Sequence, residues 1–234
     1  MSDLGHEYEH AYLTATRSAY DTVAASYAEQ LADHLAQQPF DRAVLAAYAE
    51  LVHAAADGES PRVTEIGCGP GRITAHLAGL GLSASGIDLS PAMVDEATRR
   101  HPGIAFTVGS MTALDLPERQ LDGIVAWYSV IHVPPAEHRA VYAGFHRALK
   151  PGGHLLLAFQ VGDEKRLITE AYGHSGLSCD AYRLQPDLVE DDLTASGFAH
   201  VAQLTRAPVG PEKQPQAYLI ARAVQLPVRL SRRR

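Results

Sequence analysis

The glycine-rich segment VTEIGCGPGRIT, residues 63–74, is the part of the sequence that most directly indicates a chemistry. It places Gly67, Gly69 and Gly71 directly after an apolar run typical of a buried strand. Glycine adopts backbone angles that other residues avoid and lets a ligand approach the chain closely. A helix beginning near Arg72 would direct its free N–H groups at that ligand. The segment therefore predicts a strand, a ligand-binding loop and a helix.

An aspartate follows at the distance expected for a ribose-binding acid. Asp88 lies 21 residues after Gly67, at the end of the next predicted strand. A carboxylate at that place can accept hydrogen bonds from ribose hydroxyls. The dinucleotide fingerprint would need its third glycine at position 72, where this sequence has Arg72. The pattern therefore indicates a nucleoside-bearing cofactor and speaks against NAD.

The spacing E-x-G-x-G-x-G from Glu65 to Gly71 resembles the first motif of the class I S-adenosylmethionine (SAM) methyltransferases. Four later segments resemble the same family in the same order: IDLS at 87–90, GSMTALDLP at 109–117, LDGIVAWYSVIHV at 121–133 and LKPGGHLLL at 149–157. The resemblance covers residues 14–224. It implies a doubly wound, Rossmann-like α/β fold with a seven-stranded mixed sheet. It also implies SAM as the cofactor and S-adenosylhomocysteine (SAH) as the product.

The cofactor contacts of that family fall on identifiable positions of this sequence. By resemblance, Asp88 would bind the ribose, and Glu65 would bond loop N–H groups or the SAM amino group. Arg72 would steer the methionine carboxylate. A structural role for Glu65 and a solvated position for Arg72 are the alternatives. The predicted cofactor residues are Tyr27, Glu65, Gly67, Gly69, Arg72, Asp88, Met93, Gly109, Met111, Ala126 and Trp127.

Two residues are candidates for proton transfer. His132 follows the fourth predicted strand by five residues, at the edge where open α/β sheets bind ligands. Histidine has an ordinary pKa of about 6.5 and can accept a proton at neutral pH. Tyr20 and Tyr27 are seven residues apart and share one helix face, which in the family lies over the cofactor. We predict that His132 is the base and that Tyr20 assists it. Core packing is the alternative for the two tyrosines, and a histidine held by a backbone carbonyl is the alternative for His132.

Aromatic residues near the transfer point are the candidate substrate contacts. Tyr128 ends the fourth predicted strand beside Trp127 and could stack on an aromatic acceptor. Tyr172, His174 and Tyr182 lie in an insertion after the fifth strand and could form a substrate lid. Their alternative is an ordinary exposed hairpin.

The elements that must position these residues follow from apolar periodicity. Helical spacing covers 12–37 and 41–56, and strands then alternate with helices as in a parallel sheet. The strands are predicted at 62–66, 84–88, 104–108, 121–127, 154–160, 198–206 and 217–223, with a hairpin or extended insertion at 166–184 and a fourth crossover helix at 135–149. Ser90 before Pro91 predicts a helix N-cap.

A chain of 234 residues can bury one full core, so we predict one methyltransferase domain over residues 1–225. Its parts are listed here: an N-terminal helical cap (1–58), a cofactor-binding core (59–160), a cap insertion (161–185) and the C-terminal part of the sheet (186–225), followed by a basic tail (226–234).

Composition disfavours a nucleic-acid substrate. The chain has 20 Lys and Arg against 27 Asp and Glu, a formal net charge of −7, so no global basic field attracts nucleic acid. The cationic run RLSRRR at 229–234 is predicted to be a solvated tail. The fourth strand ends in Trp127-Tyr128-Ser129, without the Pro-Pro-aromatic motif of enzymes that methylate amino groups in DNA.

Other classes are disfavoured by spacing. The two cysteines make no paired C-x-x-C, and the 12 histidines contain a single H-E-x-x-H match, HEYEH at 6–10; no metal site is expected. Two cysteines also cannot form a disulfide framework. No apolar run has the length of a membrane span. We expect a cytoplasmic protein without membrane contacts, with homo-oligomers as an open option.

The segments RSAYDTVAASYA, AYGHSGLSCDAYRL and VAQLTRAPVGPEKQPQAYLIARA resemble those of actinobacterial methyltransferases that act on small metabolites. The resemblance implies a small, aromatic or heteroaromatic acceptor in specialised metabolism. C-methylation of an indole-type ring is one specific option, and O-, N- and C-methylation stay open. A SAM-binding protein without methyl transfer is the alternative outside enzymology.

Overall fold

The structure, a computed structural model, describes residues 3–56 and 60–225, with side chains described from residue 11 onward. The helices are α1 (Asp3–Gln30), α2 (Pro39–Ala55), α3 (Arg72–Gly79), α4 (Pro91–Arg100), α5 (His138–Ala148) and α6 (Pro186–Ala195). The strands are β1 (Arg62–Ile66), β2 (Ser83–Asp88), β3 (Ala105–Val108), β4 (Leu121–Trp127), β5 (Leu149–Gln160), β6 (Lys165–Ala171), β7 (His174–Tyr182), β8 (Phe198–Arg206) and β9 (Gln216–Ala223). The predicted basic tail lies outside the described residues.

Seven strands form one sheet in the order β3-β2-β1-β4-β5-β9-β8. The first five are parallel, and β9 runs antiparallel to both β5 and β8. This confirms the predicted fold class, a Rossmann-like mixed sheet. The strand order reverses between β1 and β4, and ligands of such sheets bind at the carboxyl ends of the strands near that point.

Apolar side chains on both faces of the sheet are buried by helices. In β5, Leu155 and Leu157 pack with Tyr142 and Phe145 of α5, while Leu156 packs with residues of α2 and α3. Successive residues of a strand point to opposite faces, so this alternation builds two core layers. Among the described residues, no helix is long and apolar enough to cross a bilayer.

The two remaining strands, β6 and β7, form a separate antiparallel hairpin after β5. Its turn is Tyr172-Gly173, with φ of 53° and 83°. Two positive φ values are typical of the tight turns that match the twist of paired strands. The hairpin packs against α1 through Leu177 and Cys179, which meet Ala19 and Val23. How the chain divides into cap, core and insertion stays a prediction.

Element bounds agree closely with the sequence-based ones at β1, β4 and β8, and the Ser90 hydroxyl caps α4 by accepting from the Met93 N–H at 3.1 Å. Three bounds were wrong. The first helix ends at Gln30, before a turn at Leu35–Gln37. Helix α5 starts at His138, because Pro135–Glu137 form a separate 3-10 turn. Strand β5 starts at Leu149, which pairs with Leu121 before a register shift.

Candidate functional site

A cavity lies between α1 and the carboxyl ends of the parallel strands. Eleven of the predicted site residues line it: Tyr20, Tyr27, Gly67, Gly69, Asp88, Met93, Gly109, Met111, Trp127, Tyr128 and His132. These residues come from α1, α4 and the ends of β1 to β4, which are distant in sequence. The fold thus assembles most of the predicted site at one place.

The glycine loop connects β1 to α3 in the left-handed region, with φ of 76° at Gly67, 52° at Gly69 and 78° at Gly71. A Cβ added at Gly67 would clash with the Ser129 side chain, whose hydroxyl donates to the Ile66 carbonyl at 2.6 Å. A Cβ at Gly69 would lie 3.9 Å from the Tyr27 ring, which is an ordinary van der Waals distance. Gly67 is therefore required by protein packing, whereas Gly69 leaves the loop open to the cavity.

Asp88 ends β2 inside the cavity. Its two oxygens accept the backbone N–H groups of Gly69 at 2.7 Å and Ser90 at 2.9 Å. Burial raises its pKa, and these two hydrogen bonds oppose that effect. A carboxylate has about four lone-pair sites, so each oxygen can still accept from a ligand hydroxyl. The geometry fits a pair of ribose hydroxyls.

Tyr20 and His132 form a hydrogen-bonded pair on the opposite wall, with 2.6 Å between the Tyr20 hydroxyl and His132 Nε2. The other ring nitrogen, Nδ1, lies 2.8 Å from the backbone carbonyl of Asp180 on the hairpin. A carbonyl only accepts, so Nδ1 carries the proton and Nε2 accepts from Tyr20. Burial lowers the pKa of His132, which favours the neutral ring, and burial raises the pKa of Tyr20. The Tyr20 phenol therefore donates a hydrogen bond to a neutral imidazole that can accept its proton.

Trp127 and Tyr128 continue the wall at the end of β4. The Trp127 ring lies 5.4 Å from that of Tyr218 and 5.9 Å from that of Tyr128. Tyr128 has a φ of 54°, a conformation that side chains other than glycine adopt at a cost of order 1–3 kcal/mol. Such strain is found at functional sites, where the surroundings hold it in place.

Two predicted cofactor residues are buried behind the cavity wall and do not line it. Glu65 is 2% exposed, and its Oε2 accepts from the Thr74 hydroxyl at 2.5 Å. Burial raises the pKa of Glu65 to about 8, so the side chain is a neutral acid at pH 7. Ala126 is fully buried in the core. The Glu65 side chain therefore contacts Thr74 of α3. Among the described residues it accepts no hydrogen bond from a loop N–H group, and it does not line the cavity.

Arg72 also lies outside the cavity wall, in a groove bounded by α1, α3 and α4. Its guanidinium interacts with Tyr27, where it opposes the rise in the Tyr27 pKa that burial causes. Nε and Nη1 are buried and have no hydrogen-bond partner among the described residues.

The hairpin residues predicted as a lid contact α1 or the core instead of the cavity. The Tyr172 ring lies 4.7 Å from that of Tyr27, and His174 Nε2 lies 3.0 Å from the Ser26 hydroxyl. Tyr182 packs at the edge of the core, under Lys165. The hairpin thus braces α1, and it reaches the site through the Asp180 carbonyl.

Sequence reasoning missed three cavity residues on α1, namely Leu13, Thr16 and Arg17. They precede Tyr20 by seven, four and three residues, which is the spacing of one helix face, so extending that face would have found them. Asp21 was missed as well. Its carboxylate accepts from the Ser90 hydroxyl at 2.5 Å and thereby ties α1 to the start of α4.

In the part of the chain that the structure describes, no group of three or more His, Cys, Asp or Glu side chains could hold a metal ion.

Part of the chain matches a known protein family. Residues 63–153 match the family model described as "Methyltransferase domain". A trans-aconitate 2-methyltransferase from Methylobacterium nodulans is 38% identical over 44% of this chain and 38% of its own. A demethylmenaquinone methyltransferase from Beutenbergia cavernae is 33% identical over 42% and 40%. The chain aligns with about 40–50% of the length of the first curated relatives.

Solved structures share the fold over most of the chain. The Burkholderia thailandensis 1,6-didemethyltoxoflavin-N1-methyltransferase, bound to that compound and SAH, superposes with a TM-score of 0.65 and 21% identity over 92% of this chain and 90% of its own. A SAM-dependent methyltransferase from Methanosarcina mazei gives 0.64 and 21% over 74% and 96%. At this identity the likeness establishes the fold.

Proposed function

We propose that the chain is a SAM-dependent methyltransferase of a small aromatic or heteroaromatic metabolite. One observation carries the proposal: a single cavity contains the glycine loop, the Asp88 carboxylate and the Tyr20–His132 pair. The family match over residues 63–153 supports the same reaction type.

SAM is the cofactor, and the cavity offers it a place along the loop. Asp88 would accept from the ribose hydroxyls, Gly69 would lie against the methionine half under Tyr27, and Met111 would lie beside the adenine. SAM supplies an activated methyl group with a sulfonium leaving group. The protein must therefore align the nucleophile, exclude water and remove a proton, and alignment alone can contribute about 7–11 kcal/mol in favourable models.

The acceptor would occupy the part of the cavity near Tyr20, Trp127 and Tyr128. Helix α1 covers this space, and the aromatic wall suits a flat ring better than a duplex or a folded protein. The net charge of −7 also disfavours nucleic acid. A methyltransferase of similar fold acts on 1,6-didemethyltoxoflavin, which makes a small acceptor reasonable here. Methylation of an indole-type ring carbon in specialised metabolism is the specific reaction we would test first.

We assign Tyr20 and His132 a proton relay. Bound SAM would supply the methyl group to a lone pair or ring carbon of the acceptor, and the acceptor would then have to lose a proton to this pair. The acceptor proton passes to the Tyr20 oxygen, whose own proton passes to His132 Nε2. The Asp180 carbonyl holds Nδ1–H and stabilises the imidazolium that forms. Such a base adds roughly 10²–10⁴-fold to the rate.

The test begins with binding and ends with turnover. Calorimetry should detect SAM and SAH but not NAD, and a panel of indoles and phenols should be screened for SAH release. SAM binding without SAH release from any acceptor would favour a SAM-binding protein that does not transfer methyl groups. Failure to bind SAM or SAH would refute the proposal.

The cellular setting is an expectation of the same proposal. Cys68 and Cys179 are both buried free thiols, as is common in a reducing compartment. We expect a cytoplasmic enzyme whose partner is its small-molecule substrate, with a homo-oligomer to be tested by light scattering.

A further inference from the structure

A second concave site lies beside the cavity and shares no lining residue with it. It is a groove of about 550 Å³ between the end of α1, the first turns of α3 and the end of α4. Adjacent loop residues separate the two sites, since Gly69 lines the cavity and Pro70 lines the groove. We call it the Arg72 groove.

Nitrogen donors without partners face this groove from α3. Arg72 and His76 are four residues apart and therefore lie on one face of the helix. Arg72 Nε and Nη1 and His76 Nε2 are buried and have no hydrogen-bond partner among the described residues. Leaving a buried donor unsatisfied costs about 1–3 kcal/mol, and an unpaired charge costs more. Two unpaired guanidinium donors beside an unpaired imidazole nitrogen indicate a missing hydrogen-bond partner.

The Arg72 guanidinium interacts with the Tyr27 side chain and electrostatically with Glu65, but its Nε and Nη1 donate to neither. None of the residues that line the groove is acidic, and Arg100 and His101 add further basic groups at its α4 side. The nearest carboxylate on α4, Glu96, is engaged by Arg99 at 2.6 Å and Arg100 at 3.0 Å. The basic side chains of the groove and its unpaired nitrogens therefore both favour the binding of an anion.

We propose that the Arg72 groove binds a small oxyanion, with Arg72 and His76 as its hydrogen-bond donors. Arginine suits this role because its planar fork can donate two parallel hydrogen bonds to a phosphate or carboxylate group. The ligand class is a free oxyanion or a small molecule that presents one. The site is independent of methyl transfer, although it adjoins the cofactor loop.

The full-length protein should be titrated with inorganic phosphate and, separately, with acetate, against chloride at equal ionic strength. Binding is followed by calorimetry and by Tm. We expect saturable binding of at least one oxyanion and a rise in Tm. Arg72→Gln and His76→Ala should each weaken this binding about tenfold or more, because a charge-assisted hydrogen bond contributes about 1.5–3 kcal/mol. Arg99→Gln, exposed in the last turn of α4 and absent from the groove lining, is the matched control and should leave this binding unchanged.

A second readout separates this site from the cofactor site. Affinity for SAH should change less than twofold in His76→Ala, and phosphate should not compete with SAH. If Arg72→Gln does not fold, His76→Ala carries the same test.

Two results would overturn the proposal. The first is no saturable binding of phosphate or acetate to the wild type. The second is competition between oxyanion and SAH with a parallel loss of SAH affinity in Arg72→Gln, which would assign these nitrogens to the cofactor carboxylate.

Discussion

The buried acid Glu65 should make the stability of the protein fall as pH rises. Burial raises its pKa from the ordinary value of 4.5 to about 8, against the opposing effects of the Thr74 hydrogen bond and Arg72. Between these two pH values the unfolded chain has released the Glu65 proton and the folded chain retains it. The unfolded state thus binds fewer protons, and the free energy of unfolding decreases with pH.

The size of the effect follows from the shift. One pKa unit corresponds to 1.36 kcal/mol, so the free energy of unfolding falls by about 5 kcal/mol as the pH rises from 4.5 to about 8. Glu65→Gln keeps an oxygen that can accept from Thr74 and removes the titration. The variant should match the wild type near pH 4.5 and exceed its stability by several kcal/mol at pH 8.

Urea denaturation followed by circular dichroism at intervals from pH 5 to 8 measures this difference. Glu164→Gln is the matched control, because Glu164 is an exposed acid just before the hairpin whose pKa is lowered by Arg183. The difference in unfolding free energy between Glu164→Gln and the wild type should not vary between pH 5 and 8. The reasoning about Glu65 fails if the Glu65→Gln curve runs parallel to that of the wild type.

Three further predictions concern the cavity. Asp88→Ala should raise the SAM dissociation constant at least tenfold, and unchanged affinity in calorimetry would remove the ribose assignment. Once an acceptor is known, His132→Ala and Tyr20→Phe should each lower kcat by about 10²–10⁴-fold while SAM affinity is retained. His132→Asn can still form a hydrogen bond, so it separates substrate orientation from proton transfer. If all three variants keep the wild-type kcat, the Tyr20–His132 pair has a structural role. Gly67→Ala should lower Tm by several degrees, because its φ is 76° and a Cβ would clash, whereas Gly79→Ala, with open space around it, should not; equal Tm values would contradict the packing argument.

Local signals explain what the sequence could predict. The apolar run of β4 and the Ser90-Pro91 start of α4 are read from neighbouring residues, and both agree with the structure. The site residues near these elements, Asp88 and His132, were found because parallel strands end at one edge.

Side-chain direction explains what the sequence could not predict. The predicted contact of Arg72 with the cofactor carboxylate stays a prediction, because the side of α3 that Arg72 covers depends on how α1 and α4 pack around it. Glu65 was expected near loop N–H groups, and its partner is Thr74 one turn into the helix. Leu13 and Arg17 have no local signature beyond helical spacing, so their role depends on where α1 lies.

The contact between His132 and the hairpin has a consequence for how this chain could change in evolution. The partner of Nδ1 is a main-chain oxygen, 48 positions further along the chain, and every amino acid at position 180 would provide the same atom. Alignments of homologues would therefore show no constraint there, although a shift of the strand by one residue would release the ring. Surface substitutions on the hairpin can accumulate freely, while insertions or deletions between β5 and Asp180 would be selected against. Exchanging this hairpin between related proteins would then also transfer the carbonyl that holds the His132 ring in place.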